Sequence, residues 1–316
     1  MNTNIGMAGE FRCVVKKSDG SIKTDTGYQK NLILNQGLDF FGGGNGSNMM
    51  SYCVIGSGNS QPSYTQNKLD TAVLGIRGSD YSTKFDYNAS TDRNLYKTNR
   101  VRKYLFTGLN NVNISEVGLA STYSDATTYF LCTRALIKDS QGNPTTITVL
   151  SGEILEIYYK LWAVYDTTDK AGTLNLLDGV SGSIAYNWTV RLAYVTDKTS
   201  YAYQLGYVLG SVYSKWSTFN TGDLTAITTS PSGSGESFSP DKFKPYVANS
   251  YKRVIEIPLT VSQENKAIRS YTLATSMGAY QIRFGSVADD SPINKTSTQT
   301  LTVPVEVSWR RYEGAL

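Results

Sequence analysis

The stretch Glu153-Ile154-Leu155-Glu156-Ile157-Tyr158-Tyr159-Lys160-Leu161-Trp162-Ala163-Val164 decides the fold class. On the two-residue period of a strand, Leu155, Ile157, Tyr159 and Leu161 fall on one side, and Ile154, Tyr158, Trp162 and Val164 on the other. Side chains alternate between the faces of a strand, so a strand apolar on both belongs in the middle of a packed structure or against a partner. Its length also suits a helix. β-Branched and aromatic residues, however, lose rotamer freedom in a helix and pack well on a pleated surface. A central strand is expected, and it needs neighbours.

Candidate neighbours lie on both sides. Upstream, Val101 to Phe106, Ile114 to Ala120 and Tyr129 to Ile137 read as strands; Asp139 to Pro144 is a turn, and Thr145 to Val149 alternates. Nearer the start, Phe11, Cys13 and Val15 alternate with Arg12, Val14 and Lys16, and Ser18-Asp19-Gly20 turns the chain into a return strand at Ile22. Downstream, one face is shared by Trp188, Val190, Leu192 and Tyr194, another by Ile255, Ile257, Leu259 and Val261, and another by Tyr280, Ile282 and Phe284. Leu301, Val303, Val305, Val307 and Trp309 alternate without a break, although Pro304 has no N–H for a ladder and marks an edge or a bulge. One short helix is expected, with Asn35 capping a turn through Leu38 and Phe41 that Gly42-Gly43-Gly44 ends. The expected core takes Phe11, Val15, Val54, Leu119, Leu136, Ile147, Leu155 and Ile157 from the first half. From the second it takes Trp188, Val190, Ile255, Ile257, Leu259, Ile282, Val303, Val305 and Trp309.

These elements make an all-β protein with very little helix, a β-sandwich of jelly-roll type with long loops, in one β unit or two. Residues 1–165 read as a sandwich domain, 166–250 as a polar, loop-rich insertion, and 251–316 as strands completing the same or a second sandwich. Within the insertion, Thr221 to Pro245 is rich in Ser, Gly and Pro and reads as an extended arm. Phe238, Phe243 and Tyr246 are its candidate anchors on an adjacent copy of the chain.

Composition agrees with this class. The 316 residues are 40% hydrophobic and only 18% charged, with 28 Gly and 23 Tyr. Soluble domains carry roughly 25% charge. Tyr gives a large rigid contact with a polar tip, and sparse charge lowers the cost of desolvating a surface, so the composition suits docking to other proteins. A net charge of +4 without a clustered basic footprint gives no expectation of nucleic-acid binding. Cys13, Cys53 and Cys132 are odd in number and form no CxxC pair, which reads as three buried free thiols made in a reducing cytoplasm. Residues 1–12 lack a continuous apolar run, so a secretory leader is not expected, and no stretch has the length of a membrane helix.

Three stretches carry a resemblance. The first is Asn31 to Asp39, followed by Cys53-Val54-Ile55-Gly56-Ser57-Gly58-Asn59 and a loop ending at Leu69. The second is Ile114 to Leu119 with Arg134 to Asp139, Gly142 to Val149 and Glu153 to Tyr159. The third is Leu301 to Arg310. Their order and spacing resemble a pattern of tailed-bacteriophage virion proteins of the tail, fibre-attachment or collar type, over about the first half of the chain. The resemblance implies a β-sandwich core and brings no catalytic residues. On their own chemistry, Gly37, Gly56, Gly58 and Gly118 fill positive-φ or close-approach positions. Glu116 is placed to pair with Arg134 or to cap a backbone amide.

Catalytic chemistry is not expected. There is no His, which removes the commonest general base, the usual triads and most zinc sites. No phosphate-binding loop or nucleophile elbow occurs. Glu153 and Glu156 would face opposite sides of a strand, which separates them as a glycosidase pair, and the adjacent acids Asp289-Asp290 read as solvated. The expectation is a non-enzymatic virion protein without cofactor or metal, made in the bacterial host cytoplasm. It would sit in a tail ring or sleeve, against copies of itself and against tail-tube, portal or fibre proteins. The alternatives are a receptor- or glycan-binding module of a tail fibre, touching host-surface glycan, and a capsid or collar decoration protein.

Overall fold

A computed structural model describes residues 1–43, 48–86, 94–177, 183–195, 214–238, 244–275 and 277–316. The first elements are β1 (Asn2–Lys16), β2 (Ile22–Asp25), β3 (Gln29–Ile33), α1 (Asn35–Gly43), β4 (Tyr52–Gly56), β5 (Ala72–Arg77), β6 (Ser79–Asp86) and β7 (Leu95–Phe106). There follow β8 (Val112–Ile114), β9 (Glu116–Tyr123), β10 (Tyr129–Leu131), β11 (Thr133–Leu136), β12 (Ile147–Val149), β13 (Ile154–Asp166), β14 (Lys170–Leu177) and β15 (Ser183–Leu192). The last are β16 (Ser214–Asn220), β17 (Ser234–Phe238), β18 (Lys252–Leu259), β19 (Ala267–Ile268), β20 (Ser270–Thr275), β21 (Gly278–Ser286), β22 (Ile293–Asn294) and β23 (Leu301–Arg311). The protein is all-β, with α1 the one helix among the described residues.

The double-sided stretch is β13. It pairs along its whole length with β1 on one side and β7 on the other, at the centre of a thirteen-stranded sheet that runs β5-β4-β9-β11-β3-β1-β13-β7-β6. β1 has three further partners. β23 lies parallel to Asn2–Met7, β3 antiparallel to Gly9–Phe11, and β2 antiparallel to Val14–Lys16. β18 extends the sheet beyond β23. Pro304 sits in β23 two residues before Glu306, whose N–H donates to the Met1 carbonyl. The nitrogen of residue 304 faces the same side, where the pairing with β1 has not yet begun, so its missing N–H costs no ladder bond.

The second sheet has six strands in the order β14-β15-β21-β20-β16-β17, all antiparallel. This departs from a loop-rich 166–250: that segment supplies β14 to β17, four of the six strands. The final segment is divided, β18 and β23 joining the first sheet and β20 and β21 the second. One hydrophobic core runs through both sheets, from Phe11 and Ile157 to Tyr271 and Ile282. Of the expected core, only Trp188 is not buried; its ring lies half-buried beside Gly172. Val261 lies past the end of β18 and is exposed.

Over residues 221–238 of the expected arm the chain makes a folded return; residues 239–243 lie outside the described residues. Thr221 and Gly222 donate to the carbonyls of Gly233 and Ser232, and β17 pairs with β16. One cause is Gln281, buried in β21. Its Oε1 accepts from Thr225 N at 2.8 Å, and its Nε2 donates to the carbonyls of Leu192, Thr225 and Ala226 at 2.9, 3.2 and 3.2 Å. Arg191 Nη1, the Tyr194 and Val195 amides and Ser270 Oγ donate to the carbonyls of Thr225, Thr229, Ile227 and Gly222, so a segment poor in apolar surface is held largely by polar bonds, Gln281 the buried one among them.

At α1 the helix forms as expected, but the Asn35 side chain does not cap it: Asn35 Oδ1 accepts from Arg311 Nη2 at 2.6 Å. Gly37 is a close-approach glycine, since a Cβ there would stand 2.1 Å from the Cys132 carbonyl oxygen. Gly56, Gly58 and Gly118 act likewise, and none of the four has a positive φ.

Candidate interaction face

The even-numbered residues of β13 face away from the core and build a continuous surface with their neighbours. Register sets Glu156, Tyr158 and Lys160 opposite Val14, Arg12 and Glu10 of β1, and opposite Leu105, Lys103 and Val101 of β7. Directly opposed residues share a face, so aromatic and basic side chains come together. The Tyr158 ring lies 6.0 Å from the Arg12 guanidinium carbon and 5.5 Å from Lys103 Nζ. Tyr81 meets it edge-on, with centroids 5.1 Å apart. Lys160 Nζ stands 3.9 Å over the Tyr28 ring and 5.3 Å from Trp162. Trp162 Nε1 donates to Glu10 Oε2 at 2.8 Å.

Glu156 is sunk in this face and its cations ride above it, whereas Glu10 and Asp25 stay about as exposed as Lys160 and Arg12. The Glu156 side chain is 6% exposed, whereas its partners Lys16 and Lys103 are 34% and 27% exposed. Glu153, 9% exposed, likewise lies beneath Lys23 at 29%. Glu156 accepts from Lys103 at 2.7 Å, Lys16 at 3.1 Å and the Tyr158 hydroxyl at 2.7 Å. Burial disfavours its ionisation, but these three donors outweigh burial and hold its pKa down to about 2. The face therefore presents rings and N–H donors, with Tyr81 60% and Leu105 48% exposed.

A second polar cluster is buried. Glu116 and Arg134 are both fully buried, and Arg134 Nε donates to Glu116 Oε2 at 2.8 Å. Glu116 also accepts the backbone amides of Gly58, Asp70 and Thr71 at 3.0, 3.2 and 2.9 Å. Arg134 reaches on to Asp70 Oδ2 at 2.7 Å and Ser60 Oγ at 3.2 Å. Both alternatives for Glu116, pairing and amide capping, hold at once. The cluster ties the β4–β5 loop onto the sheet; Glu116 and Arg134 are wholly buried, while Asp70 and Ser60 reach the surface, so it acts as a clamp.

Of the three candidate anchors, Tyr246 turns inward onto its own chain. Its hydroxyl donates to Asp39 Oδ1 at 2.6 Å, and its ring stacks on Trp309 with centroids 6.1 Å apart. Gly42 makes room for it, since a Cβ there would lie 2.0 Å from the Tyr246 ring. Burial, then the bond to Asp39, push the Tyr246 hydroxyl pKa well up. Phe238 ends β17 but its side chain lies outside the described residues, as does all of Phe243. Sequence reasoning missed Arg12, Tyr28, Tyr81 and Lys103. The signal available was β13 itself: Tyr158, Lys160 and Trp162 on a face also carrying Glu156 mark that side of the strand as the outer one.

Among the described residues no group of acids and cysteines is arranged to hold a metal ion, and no helix is long and apolar enough to cross a membrane. Fold and face define a class: an all-β protein presenting a large, ordered aromatic and basic sheet face. No family model, curated protein or solved structure matches the chain.

Proposed function

We propose that this chain is a structural component of a tailed-phage virion, a tail ring, sleeve or fibre-attachment protein that works through protein–protein contacts. The observation that carries the reading is the face around Tyr158. Protein interfaces are enriched in Tyr, Trp and Arg at their centres, where rigid rings bury area at little entropic cost. Here Tyr81, Tyr158 and Arg12 are held in place by cross-strand neighbours and ion pairs. Low overall charge, the absence of His and the resemblance of the first half of the sequence to virion proteins support the same reading. Its partners are then copies of itself in a ring and the tail-tube, portal or fibre proteins beside it.

Electron microscopy of purified particles with antibody-labelled protein tests this. Label in a ring on the tail is the expected result. Label on the capsid or collar would keep the virion assignment and change the position. Absence of the protein from washed particles overturns the proposal.

A further inference from the structure

A cleft of about 350 Å³ opens where the second sheet meets the start of β23. Four separate segments wall it: the β14–β15 hairpin, the turn after β21, β22, and the loop leading into β23. Its floor is apolar, with Leu176, Tyr186, Ile293 and Leu301 at 4%, 6%, 6% and 4% exposure. Its rim is hydrogen-bonding, carrying Asp289, Asn294, Gln299 and Thr300. A volume of a few hundred cubic ångströms, an apolar floor and a few convergent polar groups are the usual attributes of a small-ligand site.

The charges narrow the class of ligand. Among the described residues Lys295 is the one cation in the lining; it is buried, and its Nζ donates to Asn265 Oδ1 at 2.9 Å. The one remaining charge, Asp289, is negative and accepts from Ser291 N through Oδ1 at 3.0 Å. Gln299 spends its Oε1 on Thr296 N and Oγ1 at 2.9 and 3.0 Å, which leaves its Nε2 to donate. The rim thus offers amide donors, amide and carboxylate acceptors and a hydroxyl, with the Lys295 ammonium buried beneath it rather than on it. A neutral saccharide fits this: its C–H face lies on an aromatic and aliphatic floor, and its hydroxyls both donate and accept at the rim. An acidic sugar would meet the exposed Asp289 at the rim, while the Lys295 charge lies buried with Glu264 acting on it.

We infer that this cleft binds a neutral saccharide. The inference goes beyond the virion proposal and does not depend on it, since the particle experiment above and a binding experiment on the isolated chain can fail separately.

Saturation-transfer NMR on the intact chain, with methyl glucoside, N-acetylglucosamine, glucuronate and hexanol as probes, tests it. Transfer to the neutral sugars is expected with dissociation constants near the millimolar range, and glucuronate should bind about tenfold more weakly. Ala288→Trp fills the mouth from an exposed turn and should abolish transfer; Asn294→Ala, also exposed, should weaken binding about tenfold. Both positions are on the surface, so these variants keep the fold. Absence of transfer to either neutral sugar overturns the inference. So do sugar signals that survive Ala288→Trp, a preference for glucuronate, or transfer to hexanol alone.

Discussion

At Glu156, burial works against the ionised carboxylate, and three donors reverse the balance. A folded-state pKa of about 2, below the ordinary 4.5, means that the folded chain binds this proton less readily than the unfolded one. The stabilisation is therefore present above pH 4.5 and is lost as pH falls toward 2. Glu156→Gln should cost on the order of 1–3 kcal/mol at neutral pH, and the gap from wild type in urea unfolding should close by about pH 2. A gap that ignores pH would show that the carboxylate is not the source. Glu116 and Arg134 are a different case. Removing one member of a buried pair leaves the other charge without a partner, so Glu116→Ala should cost about 3–5 kcal/mol. Hydrogen exchange at the Gly58 and Thr71 amides should accelerate in the same variant. The pair was legible in the sequence because a short turn separates two strand-like runs, which sets positions 116 and 134 on neighbouring strands. The bonds to Gly58, Asp70 and Thr71 were not, since nothing in a loop's composition says which buried carboxylate its amides will reach. Burial pushes the Cys13 and Cys132 thiols up to about 12, and raises Cys53 also. None of the three should react with a thiol reagent near pH 8 until the chain is unfolded.

Among the elements, β13 shows what alternation can establish. Ile157 is fully buried and lies opposite Cys13 on β1 and Tyr104 on β7. Ile157→Ala should destabilise by about 2–5 kcal/mol, read from the denaturant midpoint, and a loss under about 0.5 kcal/mol would contradict this register. β18, β21 and β23 were legible for the same reason: apolar residues at every second position can bury only as strands. β6 was not, because its Ser, Asp and Lys residues give no period, and it forms as the edge partner of a strongly patterned β7. The return from Thr221 to Gly233 was misread because part of its stability resides in Gln281, some fifty residues on. Gln281→Leu removes the bonds to Leu192, Thr225 and Ala226 and strands the buried Leu192 carbonyl, at about 1–3 kcal/mol. In the isolated wild-type chain residues 221–233 should resist limited proteolysis, and in Gln281→Leu they should be cut rapidly.

For the molecule as a whole, the sequence carried the all-β class, because strand-like periodicity recurs from Phe11 to Trp309 with one short helical interruption. The partition into two sheets was not legible. Alternation tells a strand which side to bury and is silent on which strand it will lie beside. Residues 252–311 make the point: β18 and β23 pair with each other across the whole of β20 and β21, which belong to the other sheet. The candidate face depended on that pairing, since Tyr158, Arg12 and Lys103 come from three strands far apart in the chain.

The parallel seam between β1 and β23 also has a bearing on time. Asn4 and Ser308 are hydrogen-bonded although 304 residues apart. At a synthesis rate of roughly 5–20 residues per second, the first strand leaves the ribosome some 15–60 s before its partner. For that interval one flank of β1 is an unpaired edge, the kind of surface on which nascent chains mispair with one another. The sheet closes only once β23 has been made, so the yield of folded protein depends on how crowded with sister chains the surroundings are while β1 waits.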